Sequence, residues 1–305
     1  MKKFSEGNKM FISVMVIFII YAIIFILFEV YDRLYLQPFE EASDWHLLLF
    51  SIIVMIGLAF LLHRYSKRMD ERISKKQAEK EYIMRRELTQ NISHELKTPV
   101  SSILGFTDTI IDNPNLSESQ IKQFILRTNK QAKRLAELLS DISTLNRMEY
   151  APDMIKKDLI DISEIVSEIC SEVEIPLKNK NMSLKNFLKP SIYLKANYAL
   201  MYSIFRNIID NSINYAGNDT VIEISACEHK HCWVFSISDN GIGVSSKHLN
   251  RLFERFYRVN KGRMRTEGGT GLGLSIVKNA VLFHGGTIKA LNNNPGIRFE
   301  FTIKK

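Results

Sequence analysis

Two long apolar runs lie near the start of the chain. Residues 10–28 contain no charged side chain, and the run from Leu47 to Leu62 is interrupted only by Ser51 and Gly57. About 20 apolar residues in a helix cross the hydrocarbon core of a bilayer. The pattern therefore predicts transmembrane helices at 10–28 and 47–63. The alternatives are a signal peptide for the first run and a buried soluble helical hairpin for the pair.

Charged residues flank these runs unevenly. Lysines occur in residues 1–9, basic residues begin at Arg64 after the second run, and residues 29–46 are mainly acidic. The positive-inside rule then places both flanks in the cytosol and leaves 29–46 as a short extracytoplasmic loop. We expect a multi-pass membrane protein in contact with lipids. So short a loop cannot fold into an independent ligand-binding domain.

A helical apolar stripe follows the second run. Its members recur at a period of about 3.6, and they are Ile92, Leu96, Pro99, Ile103, Phe106 and Ile110. At about 100° per residue, His94 points away from this stripe and Thr98 lies one turn beyond His94. The charged segment 64–84 predicts a juxtamembrane signalling helix that leads into the His94 helix. The His94 imidazole lies beside Glu95 and away from the core. It is either a chemically reactive group or an ordinary solvent-exposed side chain.

A second helix should run antiparallel to the first. Asn113–Asn115 breaks the His94 helix, and Ser117 with Gln120 is typical of a capping box. Apolar residues then continue in a helical pattern to Met148. Two such helices bury their stripes well only in a four-helix bundle, so residues 85–150 predict a symmetric homodimer. A coiled-coil scaffold without catalysis is the alternative for this region alone.

Residues 151–305 alternate between helical and strand patterns. Helices are predicted at 160–173 and 199–215, and strands at 183–188, 221–227, 233–238, 286–291 and 298–303. This order indicates an α+β sandwich in which helices cover one face of a mixed sheet. The whole chain is thus predicted to be multidomain: two transmembrane helices, a helical hairpin and this sandwich.

Charge and cysteine content exclude some classes of protein. The net charge is +8, but basic residues are spread along the chain rather than interleaved with aromatics, which argues against nucleic-acid binding. Three cysteines do not indicate a disulfide framework and suit a reducing cytosol. The segment from Cys227 to Cys232 contains His229 and His231, which leaves two interpretations open: a metal site, or exposed residues of a β-hairpin.

Five motifs occur in a specific order. They are the segments His94–Pro99, Asn207–Tyr215, Asp239–Gly243, Phe253–Arg258 and Gly269–Leu274. Together they resemble the boxes of the sensor histidine kinases of two-component systems, over roughly residues 85–305. The resemblance implies a phosphotransfer and dimerisation domain at 85–150, an ATP-binding domain at 151–305 with the fold of gyrase and heat-shock chaperone ATPases, and a separate response-regulator protein as partner. It also implies that the membrane is the bacterial inner membrane and that the signal comes through the membrane, the short loop or a membrane sensor partner. Two other classes compete: a serine/threonine kinase or ATPase on the same nucleotide fold, and a degenerate, non-enzymatic membrane scaffold. The His94 box argues against the first and the intact nucleotide boxes against the second.

The resemblance also implies roles for individual residues. His94 would accept the phosphoryl group from ATP, Glu95 would orient the ring and take its proton, and Thr98 would align a water that dephosphorylates the regulator. Amide oxygens suit Mg²⁺, and Asn211, supported by Asn207, would hold it. The remaining nucleotide contacts are expected from Tyr215, Asp239, Gly241, Gly243, Arg258, Gly269, Thr270, Gly271 and Gly273.

Two local features qualify this expectation. Asn214 stands where the family often has lysine or arginine, so a phosphate contact is missing unless Arg258 replaces it. The polar, basic segment 253–268 is predicted to be a mobile lid over the nucleotide.

Overall fold

The computed structural model describes residues 43–259 and 270–305, together with residues 20, 21, 23–28, 30, 31 and 35. The side chains of a few helical residues within these ranges, among them 43–48 and 50, lie outside the description. The chain divides into two compact units, residues 1–85 and residues 86–305.

The first unit is helical wherever it is described. Most of the first predicted span lies outside the described residues, and the second falls within the long helix α1, Ser43–Asp112. Apolar side chains of this helix are exposed, with Ile53 at 65% and Leu61 at 63%. Within the described part of the chain, no helix has both the length and the apolar character needed to cross a membrane.

A helical hairpin opens the second unit. α1 ends at Asp112, and α2, Glu118–Tyr150, begins after the predicted break. The predicted capping box is confirmed, since Ser117 accepts from the Gln120 backbone amide while the Gln120 side chain accepts from the Ser117 amide. The second half of α2 buries Leu138, Leu145 and Met148 in the core of the unit. Several other apolar side chains of the hairpin stay exposed: Leu104, Ile111, Ile125, Leu126 and Leu139.

The rest of the second unit is an α/β domain. Its helices are α3 (Ile162–Glu172), α4 (Glu174–Asn179), α5 (Tyr198–Tyr215), α6 (Ser246–Leu249) and α7 (Gly273–Phe283). Its strands are β1 (Asp158–Asp161), β2 (Ser183–Asn186), β3 (Tyr193–Ala196), β4 (Val221–Glu228), β5 (Cys232–Asp239), β6 (Ile288–Asn292) and β7 (Ile297–Lys304). A five-stranded mixed sheet has the order β2-β4-β5-β7-β6, in which β2 and β4 are parallel and the other pairs are antiparallel.

One face of this sheet packs against the helices. Alternate residues of β4 and β7 are buried, as the period of two in a half-buried strand requires. Phe205 of α5 meets Phe235 of β5 and Phe301 of β7 edge-on, each at 5.5 Å between ring centroids. The predicted sandwich of a mixed sheet under helices is therefore confirmed.

The start of this domain differs from the sequence prediction. The helix predicted at 160–173 begins two residues later, because Asp161 accepts a hydrogen bond from the Ser163 amide and caps it. Residues Asp158–Asp161 instead form β1, which pairs with β3 in a separate two-stranded sheet. This ladder was missed because both strands are only four residues long.

A buried histidine ties the end of α7 to the start of α5. His284 accepts a hydrogen bond at Nε2 from the Asn197 amide (3.0 Å) and donates from Nδ1 to the Ala280 carbonyl (2.7 Å). Burial lowers the pKa of His284, assisted by nearby Lys157 and opposed by the bond to Ala280. The neutral imidazole thus fixes Asn197, whose side chain caps α5.

Candidate functional site

The His94 side chain is exposed on α1, as its place opposite the apolar stripe predicts. An open groove of about 430 Å³ surrounds it, and His94, Lys97, Thr98, Ser101 and Ser102 line this groove. The Thr98 hydroxyl donates to the backbone carbonyl of His94 at 3.2 Å, which fixes the Thr98 side chain one turn beyond His94. The imidazole is accordingly open to a reagent from outside the hairpin.

Glu95 faces the second helix of the hairpin. Its half-buried carboxylate lies 3.5 Å from the guanidinium of Arg134 on α2. The next residue, Leu96, packs against the core. Glu95 is therefore held at the edge between the exposed His94 face and the packed face, and the ion pair with Arg134 was not predicted from the sequence.

Helix α5 presents a row of three predicted site residues. Asn207, Asn211 and Tyr215 are spaced four apart and so share a face. The Asn207 amide donates to the carbonyl and the hydroxyl of Ser203, at 2.8 and 3.0 Å. This leaves the Asn207 amide oxygen directed towards the start of α7, where a Cβ added to Gly273 would come within 2.3 Å of it. Asn211 is half-buried and Tyr215 is exposed.

Asp239 ends β5 with its carboxylate only 3% exposed. Its Oδ2 accepts from the Ser212 hydroxyl at 2.8 Å, and its Oδ1 accepts from the amides of Gly241 (3.1 Å) and Ile297 (3.3 Å). A carboxylate offers about four acceptor positions. Donors from the described residues fill three of them, so among these residues one position on Oδ2 has no donor. Ser212, one residue beyond Asn211, was not singled out in the sequence.

Two glycines after Asp239 allow close backbone contacts. A Cβ at Gly241 would lie 2.2 Å from the Ala216 carbonyl at the end of α5. Gly243 has φ +66° and its Cβ would lie 2.9 Å from the Gly296 carbonyl. Neither position accepts a side chain without backbone movement. The glycines therefore let this loop lie directly on its neighbours beside the buried carboxylate.

The second glycine-rich box leads into α7. Gly269 lies outside the described residues; Gly271 has φ +75°, and a Cβ there would lie 3.0 Å from the Phe256 Cα. Among the residues that the structure describes, no side chain caps the first turn of α7, so its backbone amides suit an anion. The Thr270 hydroxyl accepts from the Leu272 amide at 3.2 Å and donates to Asp141 on α2 at 2.9 Å. The contact to α2 was not predicted.

The basic segment between the two glycine boxes is described up to residue 259. Tyr257 bonds to His248 through its hydroxyl (2.5 Å) and stacks under Arg251 (4.3 Å). Arg255 donates to Glu149 of α2 at 2.9 Å, a second contact that the sequence did not reveal. Arg258 is half-buried. The remaining part of the predicted lid, from 260 on, lies outside the described residues.

The Cys227–Cys232 segment had two interpretations, a metal site or a β-hairpin, and the structure shows a β-hairpin. The segment spans the end of β4, the turn and the first residue of β5, and the His229 amide donates to the Cys232 carbonyl. Among the residues whose placement is described, no group of three or more His, Cys, Asp or Glu could hold a metal ion.

The polar groups and glycines around α5 are of the kinds that bind a nucleotide with Mg²⁺. The unused acceptor of Asp239 suits an amino group, the glycines permit a planar group to lie against the backbone, and the first turn of α7 suits phosphate. Amide oxygens on α5 are the hard ligands that Mg²⁺ accepts. These features converge between α5 and α7, which pack against each other.

Comparison with known proteins agrees with this geometry. Residues 84–151 match the His Kinase A (phospho-acceptor) domain, and residues 196–305 match the histidine kinase-, DNA gyrase B- and HSP90-like ATPase family. The chain is 31% identical over 219 residues to the sensor-like histidine kinase SenX3 of Mycolicibacterium smegmatis, covering 72% of this chain and 56% of that protein. It is 32% identical over 208 residues to the sensor protein kinase WalK of Staphylococcus aureus, covering 68% of this chain and 50% of that protein. The chain thus spans about half the length of these curated relatives.

A solved structure shares the fold of the matched region. Histidine kinase ThkA, determined in complex with the response regulator protein TrrA, aligns with a TM-score of 0.57 at 20% identity, over 72% of this chain and 61% of that one. With a phospho-acceptor domain and an ATPase domain of the histidine kinase type in one chain, this protein belongs to the sensor histidine kinases of two-component systems.

Proposed function

We propose that this chain is an ATP-dependent protein-histidine kinase that phosphorylates His94 and passes the phosphoryl group to an aspartate of a response regulator. One observation carries the proposal: the chain combines an exposed histidine beside a carboxylate with a buried Asp239 that has one acceptor position without a donor among the described residues. The first feature suits a phosphoryl acceptor and the second a nucleotide.

The nucleotide is held by side chains from several elements. Bound ATP with Mg²⁺ supplies the phosphoryl group and the charge that neutralises the phosphates. Asn211 holds the metal with support from Asn207, and the free acceptor of Asp239 takes the adenine amino group. The loop of Gly241 and Gly243 gives the base room.

Other residues bind the phosphates. The backbone at Gly269, Gly271 and Gly273 cradles them, and Thr270, Tyr215 and Arg258 complete the nucleotide contacts. Arg258 supplies the positive charge that Asn214 does not.

His94 acts as the nucleophile in its unprotonated form. Glu95 orients the ring and accepts its proton as the ring nitrogen attacks the γ-phosphorus of ATP, the bond from that phosphorus to the β–γ bridging oxygen breaks, and ADP leaves. Arg134 holds the Glu95 carboxylate at 3.5 Å. Thr98 lies one turn further along the same groove. We propose that its hydroxyl orients a water for hydrolysis of the phosphorylated regulator, so that the protein is also a phosphatase.

Two surfaces of the helical hairpin suit two different protein partners. The groove around His94 is open, so a response regulator can reach the imidazole; ThkA was solved with such a protein. The exposed apolar side chains of α1 and α2, such as Leu104 and Ile125, suit a second copy of the chain in a four-helix bundle. Residues 85–150 would thus form the dimer, and residues 151–305 the catalytic domain.

Membrane attachment is a further part of the proposal and rests on the sequence. The apolar runs at 10–28 and 47–63 and the basic flanks support two spans with cytosolic domains. The exposed apolar side chains of α1 between Ile52 and Leu61 suit lipid contact. Sedimentation of the full chain with membranes, resistant to high salt and released by detergent, is the expected result; recovery in the soluble fraction would refute it.

The central test replaces His94 by glutamine. Incubation with γ-labelled ATP should give acid-labile, alkali-stable phosphate on the wild type and none on His94→Gln, while both bind ATP with the same affinity. His229→Gln, at an exposed histidine of the β4–β5 turn, is the matched control and should be phosphorylated like the wild type. Phosphohistidine that persists in His94→Gln would show that the acceptor is another residue.

A further inference from the structure

Ser203 extends the row of site residues on α5 by one turn. It lies four residues before Asn207, so it shares a helix face with Asn207, Asn211 and Tyr215. Ser203 and Asn207 are both half-buried, and α5 packs against α3 and against α7. Ser203 is the one member of this row that lies outside the five sequence motifs.

The side-chain amide of Asn207 is bound by Ser203 through its nitrogen. Nδ2 donates to the Ser203 backbone carbonyl at 2.8 Å and to the Ser203 hydroxyl at 3.0 Å. A side-chain amide has an oxygen that accepts and an NH₂ group with two donors. Because both donors of Asn207 are used on Ser203, its oxygen is the end that points away, towards α7.

The reversed amide orientation is unfavourable at this position. It would bring the Asn207 oxygen to the Ser203 carbonyl, and two acceptors cannot form a hydrogen bond. On the other side, a Cβ added to Gly273 would lie only 2.3 Å from the Asn207 oxygen. The amide therefore lies between Ser203 on its own helix and the first residue of α7.

The turn of α5 that carries Ser203 is anchored to α3. The Tyr202 hydroxyl and the Arg206 guanidinium each donate to the Glu172 carboxylate of α3 at 2.5 Å. Arg206 also donates to Asp210 at 2.8 Å. Residues 202 and 206 directly precede Ser203 and Asn207, so these bonds restrict rotation and sliding of that turn. Ser203 thus presents its carbonyl and hydroxyl from a fixed position.

From these contacts we infer that Ser203 is a positioning residue for the binding of a nucleotide with Mg²⁺. Its hydroxyl holds the Asn207 amide with the oxygen towards the first turn of α7, and oxygen is the atom that Mg²⁺ accepts as a ligand. The inference rests on the proposed function and adds to it a residue that acts through Asn207.

The first test removes the hydroxyl in Ser203→Ala. The Asn207 amide then keeps its bond to the carbonyl but loses its second anchor, and the terminal torsion of asparagine is broad. Affinity for a fluorescent ATP analogue, measured with saturating Mg²⁺ and with EDTA, should show the gain from Mg²⁺ reduced about three- to tenfold, as expected for one neutral hydrogen bond. Affinity in EDTA and the thermal melting curve should stay close to those of the wild type.

Matched variants separate the hydroxyl from the shape of the side chain. Ser203→Thr keeps the hydroxyl and should retain the gain from Mg²⁺, whereas Ser203→Val has nearly the same shape without it and should lose as much as Ser203→Ala. Ser167→Ala is the control on α3, since the Ser167 hydroxyl also bonds to a carbonyl four residues earlier, at 2.8 Å. It should bind the analogue like the wild type.

A double-mutant cycle tests whether Ser203 acts through Asn207. In the Asn207→Ala background, Ser203→Ala should cause no further loss of the gain from Mg²⁺, because the amide that it orients is gone. The same three- to tenfold loss in that background would overturn the inference.

Two further outcomes decide between this inference and the function on which it rests. A wild type that binds no ATP analogue would overturn the proposed function itself. A wild type that binds with a clear gain from Mg²⁺, together with an unchanged gain in folded Ser203→Ala and Ser203→Val, would overturn only the role of Ser203.

Discussion

Replacing Asp239 by asparagine changes one buried group without changing its shape. The carboxylate accepts from Ser212, Gly241 and Ile297 and keeps one position on Oδ2. In Asp239→Asn the amide oxygen can stay where it meets the two backbone amides, and the new NH₂ can donate to a rotated Ser212 hydroxyl. The second NH₂ hydrogen then occupies the position that was the free acceptor, so a donor on a ligand meets another donor.

The expected loss of ATP affinity in Asp239→Asn follows from this replacement of an acceptor by a donor. A hydrogen bond to a charged group contributes about 1.5–3 kcal/mol, which corresponds to a loss of roughly 10- to 150-fold in affinity. The fold should survive, because the three internal contacts persist as neutral bonds and the buried charge no longer needs compensation. We expect the free energy of unfolding of the domain to change by less than about 2 kcal/mol.

The assay measures binding and stability on the same protein. Titration with a fluorescent ATP analogue, competed by ATP, gives the affinity of wild type, Asp239→Asn and Ser212→Ala, and thermal unfolding gives their stability. Ser212→Ala is the control, since it removes a donor and keeps the carboxylate; its affinity should fall by less than about tenfold. Wild-type affinity in a folded Asp239→Asn protein would refute the assignment of Asp239 to the ligand.

Three further predictions address the remaining parts of the site. Thr98→Ala should keep autophosphorylation but slow dephosphorylation of the regulator, as followed by loss of label from the regulator; an equal loss of both activities would make Thr98 structural. Gly273→Ala should displace the Asn207 amide, whose oxygen lies 2.3 Å from the new Cβ, and weaken Mg²⁺-dependent ATP binding about tenfold, while metal-independent binding should change less. Because the folded pKa of His284 is below its ordinary value of 6.5, stability from its neutral form is present above that pH and lost as the pH falls below it. Denaturant unfolding at pH 7.5 and 5.5 should show this loss of stability, and the difference between the two pH values should be smaller in His284→Gln.

Much of the local structure could be predicted from the sequence. The capping box at Ser117 and Gln120 placed the start of α2, and alternation of apolar residues placed β4, β5 and β7. These signals are local: caps depend on residues three apart, and strand burial has a period of two. The order of the motifs likewise identified the family before any geometry was known, because each motif is a short run with its own chemistry.

The pairing of β1 with β3 was not predicted, because no local signal in the sequence specifies it. A four-residue strand carries almost no periodic signal, and its partner lies more than 30 residues away in the chain. Pairing across such a distance is decided by packing of the whole domain rather than by local preference.

The contacts that control the site also came only from the tertiary structure. Ser212 meets Asp239 across 27 residues, and Thr270 meets Asp141 across 129. The sequence placed Thr270 among the nucleotide contacts because of its neighbours, yet in the fold its hydroxyl bonds to a carboxylate on α2. By itself the sequence determined which chemical groups this protein has and the order of its elements. Which of those groups meet was decided by the packing of α2, α5 and α7, because a hydrogen bond depends on distance in space and not on separation along the chain.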